Sequence, residues 1–255
     1  MTRVTFSSED GKLDISLPSF WGELTQPELE DTLRLKATVP AELLKTYLFA
    51  RLTGMHVLRH DADGWYCRFR IGRRKVVVKI TLEEMAELLK PLDFVDDPGD
   101  IPVRPDRFGK RRAVDASLHG IPFGVYLRVE NLYQGYIMSG DAEALVAIAD
   151  LLYPGTRPLA SLDDVQTLAV LQWLVQIKGL FARTFANLFQ PSGSSEVTAD
   201  SMMRSMNNQI RALSGGDIAK EADVLAADCW RALTELDFKA KEAEDYRKMQ
   251  AEIKK

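Results

Sequence analysis

Cysteine is scarce in this chain. Cys67 and Cys229 are the only two, far apart in sequence, which argues against a disulfide scaffold and fits a reducing compartment. Histidine is nearly as scarce, with three residues, and the scattered Ser, His and Asp form neither a nucleophile elbow nor an ordered triad. Neither charge is in large excess. The 33 basic and 37 acidic residues give a net charge of −4, which exerts no overall pull toward nucleic acid or an anionic membrane. The opening MTRVTFSSEDGK has no apolar signal core. An unbroken transmembrane run is missing too. Ser161–Phe189 has the length, but Gln172, Gln176, Lys178 and Arg183 interrupt it, and burying them in lipid costs several kcal/mol. These absences lead us to expect a cytoplasmic, non-membrane, non-enzymatic protein with no catalytic residues, metal or cofactor.

What is present is a globular composition, 46% apolar and 27% charged, over a length that suits one large domain or two small ones. The strongest single signal is Ser161–Phe189. Val170, Leu174, Ile177, Phe181, Phe185 and Leu188 recur at steps of three and four, with Gln172, Gln176, Arg183 and Asn187 as a narrow polar stripe. A helix apolar around most of its girth is normally buried, so this is the expected core helix. Ser161 and Asp164 supply its start, and Pro191 with Gly193 its stop.

The first third alternates between strand and helix patterns. Val4–Leu17 has period two around Glu9-Asp10-Gly11-Lys12, a hairpin signal. Thr25 and Glu28 form a capping box ahead of a helix that Val39-Pro40 breaks. A second helix, Ala41–Thr53, stops at Gly54. Trp65–Ile71 and Lys75–Ile80 read as paired strands, and Thr81 with Glu84 caps a short helix to Leu89. The order β-β-α-α-β-β-β-α predicts a small N-terminal antiparallel sheet with helices, the first hairpin joining the second.

Residues 91–122 contain Pro91, Pro98, Pro102, Pro105 and Pro122, and read as a connector or extended arm. Its middle, residues 104–112, is basic through Arg104, Arg107, Lys110, Arg111 and Arg112. From Val125 onward the pattern is all-helical: Val125–Met138, Ala142–Tyr153 capped by Asp141, the core helix, a Ser/Gly linker at Ser192–Ser195, Thr198–Leu213, and a last helix from about Ile218 to the end. The expected fold is therefore α+β, with an N-terminal unit 1–90, a connector 91–122 and a helical unit 123–255.

Candidate sites compete with plainer readings. His56 and His60 lie beside Asp61 and Asp63, but Gly54 and the Asp-Ala-Asp-Gly turn place them on a strand and a loop and not on a helix, and Cys67 alone does not complete a tetrahedral metal site. Arg68, Arg70, Arg73, Arg74, Lys75 and Lys79 interleave with Tyr66 in a basic hairpin, 65–80, suited to a phosphate backbone. Glu83, Glu84 and Glu87 offset it, and a solvated sheet face is the competing reading. Ser214-Gly215-Gly216-Asp217 lacks the lysine and spacing of a phosphate loop. Asp96, Asp97 and Asp100 cluster in what reads as a turn. Tyr126, Tyr133, Tyr136, Tyr153 and Trp173 either line a cavity or fill a core. In the last helix, Ala222, Leu225, Cys229, Ala232, Leu236, Ala243 and Ile253 fall at seam-like steps. Trp230, Tyr246, Met249 and Ile253 are the candidate partner-binding residues.

Three phrases together, Leu17–Leu35 (LPSFWGELTQPELEDTLRL), Tyr133–Pro154 (YQGYIMSGDAEALVAIADLLYP) and Met206–Leu236 (MNNQIRALSGGDIAKEADVLAADCWRALTEL), resemble proteins of tailed phages and prophages from the structural and tail-assembly gene region. The resemblance implies a virion structural or chaperone-like tail-assembly component. Its partners would be other protein subunits, either copies of itself or tail and virion proteins. It implies no catalytic residue. The alternative expectation is a nucleic-acid-binding accessory protein that uses the basic hairpin 65–80 and the arm 104–112.

Overall fold

The alternating first third becomes two separate antiparallel sheets in the computed structural model, which describes residues 1–8, 11–71, 74–190 and 199–253. The chain is α+β and divides into two units, Met1–Pro105 and Asp106–Lys255.

In the first unit, β1 (Thr2–Ser8) pairs with β2 (Gly11–Leu17) in a hairpin of its own. The three-stranded sheet runs β3 (His56–Asp61), β4 (Gly64–Ile71), β5 (Arg74–Ile80), with β4 in the middle. The expected single sheet is thus corrected: the first hairpin does not pair with the second. Period-two alternation is the same whether two hairpins share a sheet or not, because it reports burial of a face and not the neighbour. The hairpin residues Glu9 and Asp10 lie outside the described residues.

The helices α1 (Gln26–Thr38), α2 (Ala41–Thr53) and α3 (Leu82–Leu89) cover this unit's core. Their ends are local chemistry. The Thr25 backbone N–H and hydroxyl donate to Glu28 at 2.8 and 2.7 Å, and Thr81 and Glu84 form the reciprocal pair ahead of α3. Gly54 ends α2 at φ +65°, a conformation that favours glycine. Leu17, Leu33, Leu48, Phe49, Cys67, Phe69, Ile80 and Leu88 are fully buried. Trp21 closes one side: its Nε1–H donates to the Asp97 carbonyl at 2.8 Å, and Phe94 meets it edge-on. Lys36 donates to the Val95 carbonyl at 2.9 Å with its ammonium over the Trp21 ring, and burial lowers its pKa.

The stretch 91–122 is not a free-standing connector. A 3-10 helix, Lys90–Asp96, buries Leu92 and Val95 in the first unit. Beyond Pro105, a short ladder of β6 (Arg107–Phe108) and β7 (Arg111–Arg112) belongs to the second, where Phe108, Leu118 and Ile121 are buried. Prolines excluded long elements here, but short irregular ones bury apolar side chains equally well.

The second unit is built on α4 (Phe123–Ser139), α5 (Ala142–Leu152), α6 (Asp164–Thr184), α7 (Ala199–Ser214), α8 (Glu221–Ala226) and α9 (Cys229–Ile253). The core helix α6 is capped by Asp163, not Ser161. The Asp163 carboxylate accepts from the Gln166 amide at 2.8 Å, and Gln166 returns the bond. It ends at Thr184, before the predicted stop; Pro191, Gly193 and the Ser192–Ser195 linker lie outside the described residues. Val170, Trp173, Leu174, Ile177 and Phe181 are buried along it. So are Gln172 and Gln176, half of the expected polar stripe. The Gln172 amide has no hydrogen-bond partner among the described residues. Among those residues, α6 is the one helix long and apolar enough to cross a membrane by length and composition. Ala169, Val170, Trp173, Leu174, Ile177 and Phe181 are buried in this unit, whereas Val175 is exposed.

The expected continuous last helix is broken at Ala227-Asp228. There the backbone forms an isolated bridge to Pro122: Phe123 N–H donates to the Ala227 carbonyl at 2.8 Å, and Cys229 N–H to the Ile121 carbonyl at 2.9 Å. The Asp228 carboxylate then accepts from the Arg231 amide at the start of α9.

Candidate interaction surfaces

From Phe238 onward α9 carries four large exposed apolar side chains. Phe238, Tyr246, Met249 and Ile253 are 61, 63, 61 and 82% exposed. At 3.6 residues per turn these four fall within about 80° of the helix circumference. Cys229, Ala232, Leu233 and Leu236, buried earlier on the same helix, centre roughly 130° away. The exposed stripe is therefore not a continuation of the packed face. Beyond Phe238 a side-chain hydrogen bond from Gln190 to Glu244, 2.9 Å, ties the helix to its own unit, while Lys239–Glu235 and Lys248–Glu244 pair within the helix.

Tyr246, Met249 and Ile253 thus lie where a partner can reach them, but Trp230 does not, and its assignment is corrected. Its Nε1–H donates to the Ser117 carbonyl at 2.7 Å. His119 stacks on it at 4.2 Å, and Phe181 and Phe185 meet it edge-on at 5.5 and 5.4 Å. Trp230 is a fastening of the unit's own core. Phe238 was missed as a surface residue: it sits one position outside the seam read from the heptad steps, and the true stripe follows the steps four, four, three, four through Glu242.

The basic hairpin is a real face. Cys67, Phe69, Val78 and Ile80 point inward, so Tyr66, Arg68, Arg70, Lys75 and Lys79 share the outer side. The register sets Tyr66 opposite Lys79, Arg68 opposite Val77 and Arg70 opposite Lys75. Arg59, unnoticed in the sequence, joins them: a register shift between Val57 and Arg59 pairs it with Tyr66, and its guanidinium lies 4.0 Å over the ring. Lys79 approaches the same ring at 5.4 Å. Lys79 is otherwise engaged, since Asp61 at 3.2 Å and Asp63 at 3.6 Å surround its ammonium, and the bond to Asp61 raises its pKa. Arg74 lies on β5 opposite Ile71, and Arg73 is outside the described residues.

The basic arm 104–112 does not survive as one. Arg104 belongs to the first unit and Arg107–Arg112 to the second. Arg111 is spent internally: it donates to Asp150 at 2.5 Å, to the Tyr153 carbonyl at 3.1 Å, and to the Arg157 carbonyl. Phe108 stacks on Tyr153 at 3.8 Å beside it.

Of the aromatic set, Tyr153 and Trp173 are core, the latter donating to the Ala116 carbonyl at 2.7 Å. Tyr126 and Tyr133 line a cavity of about 210 Å³ with Val129, Leu174, Ile177 and Phe181. The ion pair Lys178–Glu130, 2.6 Å, sits in its wall, and Lys178 lies over Tyr133. Burial, with Glu130 adding to it, raises the pKa of both tyrosines. The cavity suits a small apolar group. His56 and His60 are exposed on β3, and no group of three potential metal ligands assembles among the described residues. Ser214-Gly215-Gly216-Asp217 is a helix–helix turn in which Asp217 accepts from the Ala219 amide.

Comparison with protein-family models, with curated proteins and with solved structures returned no match.

Proposed function

We propose that this is a non-enzymatic protein–protein interaction component, a virion structural or chaperone-like tail-assembly subunit of a tailed phage or prophage, made in the host cytoplasm. The observation that carries the interaction reading is the exposed Phe238–Tyr246–Met249–Ile253 stripe, turned away from the helix face that packs on its own unit. A soluble chain leaves such a stripe open when a partner covers it. The phage assignment rests on the resemblance of Leu17–Leu35, Tyr133–Pro154 and Met206–Leu236. Co-expression with the products of neighbouring virion and tail genes tests it. Full-length protein is expected to co-purify with a tail or virion subunit, and a chain lacking Lys239–Lys255 to lose that association while its Tm stays nearly unchanged. Normal association by the truncated chain would move the surface elsewhere.

A second reading, a nucleic-acid-binding accessory protein, is favoured by Arg59, Arg68, Arg70 and Lys75 sharing one sheet face with Tyr66. Under it, changing Arg68, Arg70 and Lys75 to Ala weakens binding to DNA or RNA and flattens its salt dependence. Absence of salt-sensitive binding by the unmodified protein removes this reading.

A further inference from the structure

The charges flanking the α9 stripe are not placed at random. Taking the stripe as the front of the helix, Lys241, Asp245, Lys248 and Glu252 all fall along one flank, and Lys239, Ala243 and Gln250 along the other. In a face-to-face antiparallel pair of identical helices, like flank meets like flank. Centring such a pair at Tyr246 sets Phe238 against Ile253 of the second copy, and Tyr246 against its own counterpart. The same register sets Lys241 opposite Glu252 and Asp245 opposite Lys248, each twice by symmetry. A parallel pair instead turns this flank against the other. There Asp245 and Glu252 come nearest Ala243 and Gln250, and Lys241 approaches Lys239.

We propose that the projecting half of α9 pairs antiparallel with the same segment of a second copy of this chain, about a two-fold axis at Tyr246. The proposal rests on reading this segment as an interaction surface and names the partner. One isologous contact closes a dimer and leaves no free stripe. Charge complementarity chooses copy, direction and register, while the four apolar side chains supply the attraction. Lys248 exchanges its bond to Glu244, 2.7 Å within the helix, for Asp245 of the second copy. Swapping one exposed ion pair for another is close to neutral, so the charges select register more than they add affinity. Glu242 interrupts the stripe in each chain, and the contact is short. Both keep the pairing weak, at dissociation constants of roughly micromolar.

The test uses the full chain. Sedimentation over a concentration series is expected to show apparent mass rising toward twice that of the monomer. The double variant Lys241→Glu/Lys248→Glu makes the flank wholly acidic, and Asp245→Lys/Glu252→Lys makes it wholly basic. Each alone is expected to dimerise at least about tenfold more weakly, and an equal mixture of the two to recover the dimer. Register is read by cross-linking. Tyr246→Cys is expected to form a disulfide dimer under mild oxidation, and Met249→Cys not to, because only a parallel pair brings residue 249 against its own copy. Cys67 and Cys229 are buried and do not compete. A full-length chain that stays monomeric throughout, or a variant mixture no better than its components, overturns self-pairing. Cross-linking of both cysteine variants overturns the antiparallel register. Loss of self-pairing leaves the interaction reading standing on its own test, because co-purification with a tail subunit does not require a dimer.

Discussion

The Asp228 carboxylate accepts a hydrogen bond from the Gly120 backbone amide at 2.9 Å, across 108 residues of chain. Its second oxygen accepts from the Arg231 amide at 3.1 Å, inside the first turn of α9. One side chain therefore caps α9 and ties it to the segment that leads into α4. The bridge between Pro122 and Asp228 fixes the same junction through the backbone.

Asp228→Ala removes the cap and leaves the Gly120 amide without its acceptor. The cap alone is worth about 1 kcal/mol, and the lost hydrogen bond about as much again. For a unit of this size the expected fall in Tm is roughly 4–8 °C. Asp228→Asn keeps a capping oxygen and is expected to recover part of it. Calorimetric melting of the three proteins decides: an alanine variant within a degree of the unmodified chain would show that the junction is held by its backbone alone.

What could be read from sequence follows the range of each interaction. Thr25 with Glu28, Thr81 with Glu84, and Asp141 ahead of α5 were legible because donor and acceptor lie within three residues. The break at Asp228 was not. Ala222 to Leu236 has helix-forming residues throughout, and the reason to stop lies in a backbone bridge to Pro122. Arg111 read as a free cation because its acceptor, Asp150, is 39 residues away. Arg59 was hidden by register: the shift between Val57 and Arg59 decides which face it joins, and alternation alone does not locate such a shift. The partner surface was half legible. Tyr246, Met249 and Ile253 stand in a stretch too poor in apolar residues to be core, whereas Trp230 reads both as packing on the chain's own helices and as a partner contact, and its neighbours Ser117, Phe181 and Phe185 decide for the first.

Gly64 opens β4 at φ +153°, and a Cβ built there would lie 2.3 Å from the Ile80 carbonyl oxygen. That oxygen belongs to the adjacent strand and cannot turn aside as a side chain would. Gly64→Ala is therefore expected to destabilise the first unit by at least about 2 kcal/mol. Gly54→Ala serves as the comparison, since its φ is also positive but nothing lies within 4 Å of a Cβ there. It should cost about 1 kcal/mol, the backbone term alone. Equal urea midpoints for the two variants would mean that the β4–β5 contact relaxes freely.

Gln172 offers a gain instead. Its amide is buried in α6 with neither nitrogen nor oxygen bonded among the described residues, and an unsatisfied buried amide costs about 1–3 kcal/mol. Methionine has a similar length and no amide to desolvate. Gln172→Met is expected to raise stability by about 1 kcal/mol. Gln176, at the next turn, has an interaction of its own, so Gln176→Met should not stabilise. Urea midpoints of the two variants measure the contrast, and a destabilised Gln172→Met would show that its amide is bonded in solution.

The alkaline limb of stability provides the last test. Burial, reinforced by the Asp228 carboxylate next in sequence, pushes the Cys229 thiol up to about 12. Burial likewise raises Tyr126, with contributions from Glu130 and Cys229. An unfolded thiol ionises near about 8.5 and an unfolded tyrosine near about 10. Both groups therefore keep their protons longer in the folded chain than in the unfolded one. Their contribution to stability is complete below the unfolded pKa and is lost as pH rises toward the folded value. The decline of the second unit should begin just above about pH 8.5, from Cys229, and steepen past about pH 10, when Tyr126 joins. Each group contributes a slope of at most about 1.4 kcal/mol per pH unit. Cys229→Ala should erase the first part and leave the second, and Tyr126→Phe should do the reverse. Cys67, also raised by burial, acts with the same sign in the first unit and is kept in place throughout. Urea unfolding of all three proteins at pH 7.5, 9.5 and 10.5 separates the contributions. If Cys229→Ala loses stability in parallel with the unmodified protein from pH 7.5 to 9.5, the thiol does not govern the onset of alkaline unfolding.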